Sequence, residues 1–397
     1  MSKKVKIAIY SGAIPSTTFV ERLIVGIAKH YDVLIFGVQN TPKLYASANI
    51  KVHSTSRSLF INLIKTKWHV FVLLFTNPKR LFIVIKEIQK HKSLYSKWHA
   101  FTRLIPIMRF LPDIIHVQWA KDVDRFMFLK EKLGVKLILS LRGAHINYSP
   151  IASPTLAESY KRNFPKVDAF HAVSKAIAIE AQKYNAEASK IKVIHSPITE
   201  QIFNLYKNVE KSKSKTIRIC VVGRFHWIKG MRYLFDALRV LQQENKTFEC
   251  ICIGENCLPE EALFQINQLD LFQSITILGN LNQEVLFKTM QSCDVLVLPS
   301  LKEGIANVVL EAMAIGLPVI ATHCGGMAEV VIPNETGWLV PTRNPKAIAN
   351  AIMEVKETSE KEIQRITENA YQLVKKEFNG NESIKKFEAL YQLVLDK

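Results

Sequence analysis

The first 219 residues contain no cysteine; all six, Cys220, Cys250, Cys252, Cys257, Cys293 and Cys324, fall in the C-terminal half. No Cys-x-x-Cys pair occurs among them, which argues against a zinc ribbon or a dithiol centre. Most lie in apolar runs and read as free buried thiols of a reducing compartment. Acidic residues are scarce at the other end. Residues 1–110 hold 18 Lys or Arg against Glu21, Asp32 and Glu87, so they carry +15 of the net +18. Low-complexity tracts and solenoid periods are lacking. So is the long apolar region and small-residue cleavage site of a signal peptide, since Met-Ser-Lys-Lys leads straight into the strand-like Val5–Tyr10. The expected location is cytoplasmic.

What is present is alternation. Strand-like segments at 5–10, 32–38, 50–53, 113–118, 136–142, 169–173 and 191–196 are separated by helical patterns at 18–30, 57–110 (broken), 121–133, 155–164 and 174–184. A polar stretch, 208–215, reads as a linker. Strands then follow at 216–222, 249–253, 275–278, 294–298 and 318–321, with helices near 230–244, 259–269, 283–292 and 306–315. This order predicts an α/β protein of two doubly wound, Rossmann-like domains, 1–207 and 216–357, facing a central cleft. Helices over 358–397 are expected to pack back across the junction. Ligands of such sheets bind at the carboxyl ends of the strands.

The basic excess is densest from Arg57 to Arg109, interleaved with Leu59-Phe60-Ile61, Trp68–Phe75, Leu81–Ile85 and Trp98. These runs are short of the ~20 residues that span a bilayer. They suit helices resting on a membrane surface, with Trp and Phe dipping in and Lys and Arg meeting anionic headgroups. The alternative is a helix pair packed on the domain with a solvated basic face.

The second half opens on Ile217–Val222, Gly223, Arg224 and Lys229-Gly230. Two cations beside a helix N-terminus, where free N–H groups favour anions, would clamp a pyrophosphate. Solvated basic residues are the alternative. Further on, a strand ends at Ser300, Glu303 lies in the next loop, and Glu311 falls in an otherwise apolar helix. A carboxylate in that setting needs a partner, and ribose hydroxyls would serve. Glu303 would accept hydrogen bonds from sugar hydroxyls, while N–H groups from Gly304 and Ile305 onward would meet the donor. On spacing alone, a Lys partner for Glu311 and a surface role for Glu303 remain equally open.

Three segments, taken together, resemble the family 4 retaining glycosyltransferases of the GT-B fold: Gly223-Arg224 with Lys229-Gly230, the Glu303/Glu311 pair, and Pro318–Thr322 with Gly325-Gly326 and Glu329. The resemblance is dense from 216 to about 345. It implies a nucleotide diphosphate-sugar donor, Arg224 and Lys229 on the diphosphate, Glu303 on the sugar, Glu311 on the ribose, and the Gly304–Ile305 backbone close to the donor. It also implies retention by front-face attack, with no cofactor and no bound metal, since cations neutralise the leaving phosphate. A hexose-type sugar and a lipid-linked or polysaccharide acceptor at the inner membrane face are the expectation.

The first half resembles the family more loosely. Gly12, in Ser11–Val20, is the candidate for close approach to the donor phosphates, with an ordinary turn as the alternative. Relatives carry His-Gly-x-Asp where this chain has Arg142-Gly143-Ala144-His145. Either His145 reaches the site or Arg142 supplies charge to the phosphates. His116, on a strand, reads first as a core histidine. A nucleic-acid-binding protein would fit the pI near 9.5, but the basic residues are interleaved with aliphatic runs and no binding module is present. Two rivals share the scaffold: a sugar-nucleotide epimerase or hydrolase, and a catalytically silent subunit that binds a nucleotide.

Overall fold

The computed structural model describes residues 4–207, 214–255 and 258–396. Most of the expected linker, 208–213, and Cys257 lie outside the described residues. The first sheet comprises β1 (Lys6–Ile14), β2 (Asp32–Gln39), β3 (Ile50–Thr55), β4 (Ile114–Val117), β5 (Lys136–Leu141), β6 (Ala169–Ala172) and β7 (Ile191–Val193), in the order β3-β2-β1-β4-β5-β6-β7. The second comprises β8 (Ile217–Val222), β9 (Phe248–Ile253), β10 (Ile275–Leu278), β11 (Val295–Leu298), β12 (Val319–Thr322) and β13 (Trp338–Val340), ordered β10-β9-β8-β11-β12-β13. All pairings between named strands are parallel. Parallel strands need helical crossovers, and their apolar runs are buried on both faces. Both sheets reverse direction of growth beside their first strand, which opens a crevice at the carboxyl ends of β1/β4 and of β8/β11.

Two compact units result. One holds residues 1–173, 178–194 and 383–397; the other holds 174–177 and 195–382. The expected boundary at 207 differs from this for a physical reason. Ile198, Ile202 and Phe203 bury themselves with Leu296, Leu310 and Met313 of the second unit. The expected C-terminal helices divide in the same way. Ala370 and Val374 of the helix Glu360–Glu377 join the second core, while Phe387, Leu390 and Tyr391 of the helix Gly380–Leu395 join Ile7, Ile9 and Ile138 in the first.

Two local features depart from expectation. Strand β1 runs on to Ile14, because a bulge between Tyr10 and Gly12 lets Gly12, Ala13 and Ile14 pair with Gly37, Val38 and Gln39. Gly12 therefore lies at the strand's bulge rather than in the loop after it. Strand β13, only three residues long, carries too little periodicity to read from sequence.

The basic–apolar segment forms three helices, Leu59–Thr76, Pro78–Ile88 and Leu94–Phe110. Ser58 caps the first, Asn77 the second, and Ser93 with Ser96 form a capping box on the third. Two of the apolar runs expected here, Leu59-Phe60-Ile61 and Trp68–Phe75, are joined in one 18-residue helix, Leu59–Thr76, apolar enough by length and composition to cross a membrane, while Leu81–Ile85 and Trp98 lie in the second and third helices. Its faces are inverted. Asn62, Thr66 and Leu73 are buried, and His69 meets Arg109 at 3.2 Å. Phe60, Ile64, Trp68, Phe71 and Phe75 are exposed. An isolated exposed Leu is ordinary in a folded protein, but a contiguous apolar face with polar residues beneath it marks a contact surface.

Candidate active site

In the second unit the loops after β8, β11 and β12 converge. The chain leaves β8 at Gly223, passes the exposed Arg224, and makes a short 3-10 turn, Trp227–Lys229. Leu301 N–H donates to Ile228 O at 2.7 Å, tying this turn to the loop after β11. Gly230 (φ +67°) admits a close crossing: a Cβ there would lie 2.1 Å from Pro299 O. Lys229 Nζ is consequently 2.7 Å from Glu303 Oε1, with both side chains largely shielded. Ser300 Oγ donates to the same oxygen at 2.8 Å. The cation expected on the diphosphate and the carboxylate expected on the sugar are thus one ion pair, joined across 74 residues. Arg224 has no hydrogen-bond or ion-pair partner for its guanidinium among the described residues, and stands exposed beside them.

The loop that carries Glu303, Gly304 and Ile305 is itself braced. Gly326 N–H donates to Gly304 O at 2.7 Å. At Gly325 the backbone adopts φ +56°, and a Cβ would meet Glu303 O at 1.8 Å. The glycine pair in the family-like run therefore serves to seat the Glu303 loop, a role that spacing alone does not reveal. Glu311 is half-buried in the helix Asn307–Ala314, among the buried Val309, Leu310, Ala312 and Met313. Cys220, Cys250, Cys252, Cys293 and Cys324 are free and buried in this unit.

In the first unit the ends of β1, β4 and β5 bring together Gly12, Gln118, Arg142 and His145. Gly12 has φ +84° with open space where a Cβ would stand, so a backbone approach there is unobstructed. Trp119 Nε1 donates to Ser11 O at 2.8 Å, and its ring lies 5.3 Å from that of His145. Arg142 is buried, with its guanidinium 4.1 Å over the Phe19 ring. Burial pushes its pKa down to about 9, still a cation at neutral pH. Burial, and then the charge of Lys121, pull His145 down to about 4, so its imidazole is neutral. Neither Gln118 nor Trp119 is expected at the site from the sequence; their position at the end of the strand carrying His116 is the available signal.

His116 itself is a core residue. Its Nδ1 meets Tyr391 Oη and its Nε2 meets Ser140 Oγ, both at 2.9 Å. The metal-free expectation also counts on the absence of an Asp-x-Asp triplet, and the sequence corrects this, since Asp122-Val123-Asp124 is one. In the structure Asp122 pairs with Arg125 at 3.0 Å. Asp124 is held by Arg162, Ser159 and Asn163. Both carboxylates are engaged within the first unit.

Two open parallel sheets with their polar loops at the strand carboxyl ends define the GT-B class of fold. Sequence profiles agree: Glycosyltransferase Family 4 matches residues 17–201, and Glycosyl transferases group 1 matches 203–373. The chain belongs to the family 4 glycosyltransferases. Among its relatives, the amylovoran biosynthesis glycosyltransferase AmsK of Erwinia amylovora is 28% identical over 68% of this chain and 67% of AmsK. The N-acetyl-alpha-D-glucosaminyl L-malate synthase of Bacillus anthracis is 25% identical over 71% of this chain and 75% of the synthase. Of solved structures, Anabaena HepE in complex with UDP aligns over 98% of this chain and 100% of HepE, with TM-score 0.70 at 19% identity. Sucrose-phosphate synthase from Thermosynechococcus elongatus aligns over 99% and 100%, with TM-score 0.75 at 18% identity.

Proposed function

We propose that the protein transfers a hexose-type sugar, with retention and without a bound metal, from a nucleotide diphosphate-sugar to a lipid-linked or polysaccharide acceptor. The observation that carries this reading is the Lys229–Glu303 pair at 2.7 Å, seated on the Gly325–Gly326 backbone with Arg224 beside it. Breaking the glycosidic bond puts negative charge on the leaving diphosphate. Cations already in position stabilise that charge more in the transition state than in the ground state. Lys229 and Arg224 fill this role, Glu303 orients Lys229 and receives sugar hydroxyls, and Glu311 takes the ribose. The Gly304–Ile305 backbone approaches the donor. The diphosphate itself serves as base in a front-face attack.

HepE was crystallised with UDP, which supports a nucleotide diphosphate in such a fold. AmsK, named for amylovoran biosynthesis, and TuaC of Bacillus subtilis, whose name assigns it to teichuronic acid biosynthesis, support a polysaccharide acceptor. The inverted helix Leu59–Thr76 supports work at the inner membrane face, its apolar side in the lipid and Lys65 and Lys67 toward headgroups.

The test is the thermal unfolding midpoint with UDP, GDP and ADP in turn, for wild type and Glu311→Ala. One nucleotide should raise the wild-type midpoint, by an amount that follows its concentration over its Kd. That rise should vanish in the variant. No rise with any nucleotide would sink the donor assignment, and rapid donor breakdown with no acceptor present would favour a hydrolase.

A further inference from the structure

Of the buried side-chain nitrogens in the first unit without a hydrogen-bond partner, three, Arg142 Nε, Gln118 Nε2 and His145 Nδ1, belong to residues that follow the carboxyl ends of β4 and β5. Arg142 is 8% exposed and Gln118 0%. Arg142 donates one N–H to Gln118 Oε1 at 3.3 Å, and Ser140 Oγ donates to that oxygen at 3.4 Å. The Gln118 acceptor is therefore used, and what remains on its amide is a donor. His145, three residues beyond Arg142, packs on Trp119, the neighbour of Gln118. As a neutral imidazole it donates from Nδ1 in one of its two tautomers.

No carboxylate among the described residues answers this charge. Asp122 is paired with Arg125, and Glu21 is taken by Lys43, Tyr45 and the Ser16 N–H. The Phe19 ring offsets part of the burial of the guanidinium. A buried cation with neither counter-charge nor full hydrogen bonding is nonetheless unfavourable, and native proteins rarely keep one without a use. With His145 in the tautomer protonated at Nδ1 the three atoms are all donors, and donors with no acceptor call for an oxyanion.

We propose that Arg142, Gln118 and His145 form a receptor for a substrate oxyanion, a carboxylate or a phosphoryl group, at the carboxyl ends of β4 and β5. Two sources carry that chemistry, an acidic group on the acceptor and the diphosphate of the donor. The inference rests on the glycosyltransferase reading only for the identity of the substrate; the binding itself is tested separately.

The experiment uses the full chain, as wild type, Arg142→Met and Arg142→Lys, with calorimetric titration and thermal midpoints. The probes are glucuronate, inorganic phosphate, UDP and, as neutral control, glucose. At least one anion should bind the wild type and glucose should not, and Arg142→Met should weaken that anion at least tenfold while Arg142→Lys weakens it less. Glucuronate binding lost with UDP unchanged assigns the oxyanion to the acceptor; phosphate and UDP weakened together assign it to the donor. Without ligand, Arg142→Met should melt no lower than wild type, because it removes an unanswered charge. Equal anion binding in wild type and Arg142→Met overturns the proposal, as does a midpoint several degrees lower with no anion effect. Should Arg142→Met not fold, Gln118→Leu removes one donor and must weaken the same anion. Nucleotide protection abolished by Glu311→Ala reads the second unit independently, so failure here leaves the donor assignment standing.

Discussion

Two shielded cations, Lys229 in the second unit and Arg142 in the first, are treated in opposite ways. In the second, Lys229 is held by Glu303 and Ser300 on a loop braced by glycine backbones. In the first, Arg142 is buried with an unsatisfied Nε and no ion pair among the described residues, and residues 1–110 of the same unit carry an excess of +15. An answered cation is pre-organised: its position is set before substrate arrives, which suits stabilisation of a charge that develops only in the transition state. An unanswered one waits for its counter-ion, which suits binding. On the proposed function the paired Lys229 would serve the reaction and the unpaired Arg142 recognition; the exposed Arg224, without a partner among the described residues, does not follow that division.

The largest effect should come from breaking the answered pair. Lys229→Met is expected to lower turnover of the stabilising nucleotide-sugar by about 10²- to 10³-fold, the scale of losing one preorganised charge donor. The fold should persist, since Lys229 is part-exposed. A loss confined to KM, with kcat intact, would move Lys229 from transition-state stabilisation to simple binding.

Next in size is the support beneath it. Gly325→Ala adds a Cβ that would meet Glu303 O at 1.8 Å on a backbone with φ +56°. The neighbour is main chain and cannot rotate away, so a cost of about 3 kcal/mol is expected in urea unfolding, together with weaker nucleotide binding. Gly12→Ala is the matching change in the first unit. It has open space and only the positive φ to strain it, so about 1 kcal/mol is expected. Equal costs at the two sites would remove the claim that the Glu303 loop is the more tightly built.

This difference marks what the sequence could reveal. Strand β8 with Gly223, and the Glu303 loop leading to Glu311, stand out because apolar runs end at glycine and charge. Periodicity is local, so it locates the ends of elements. It does not say that Lys229 and Glu303 meet across 74 residues, nor that Gly325 sits on the Glu303 carbonyl. The same limit hid the helix Leu59–Thr76. Its apolar residues were plain, but Asn62 and Thr66 had to be placed inward by packing before the face with Phe60 and Phe71 became the outward one. Gln118 carried no motif and became visible only through its bond to Arg142.

A smaller effect sharpens the contrast through pH. His116 is fully buried and its pKa is pushed down to about 3 by burial, then by Arg142. The folded value lies below the ordinary 6.5, so its contribution is unchanged above pH 6.5. As pH falls below 6.5 the unfolded chain takes a proton that the folded chain refuses, and stability drops until about pH 3. The slope is at most about 1.4 kcal/mol per pH unit for this residue. Urea midpoints at about pH 7, 6 and 5 should fall along that limb, and His116→Asn should make it shallower by that amount, leaving the share of His53, His69 and His145, which burial also pulls down to about 4. An unchanged limb in His116→Asn would place the acid sensitivity elsewhere.

The smallest expected effect concerns the outer charge of the first unit. If the inverted helix Leu59–Thr76 rests on lipid, its two kinds of residue contribute differently. Lys65 and Lys67 are exposed on the helix that also exposes Phe71. A lysine near an anionic surface is worth about 1 kcal/mol, a factor of about five in partition. Lys65→Ser should therefore reduce co-sedimentation with anionic vesicles about fivefold, leave the weaker binding to neutral vesicles unchanged, and lose its effect as salt rises. Phe71→Ser removes apolar area and should weaken both kinds of vesicle alike, with little response to salt. If both substitutions leave partition untouched, the exposed face meets no lipid. The role proposed for unpaired positive charge in the first unit would then be confined to Arg142.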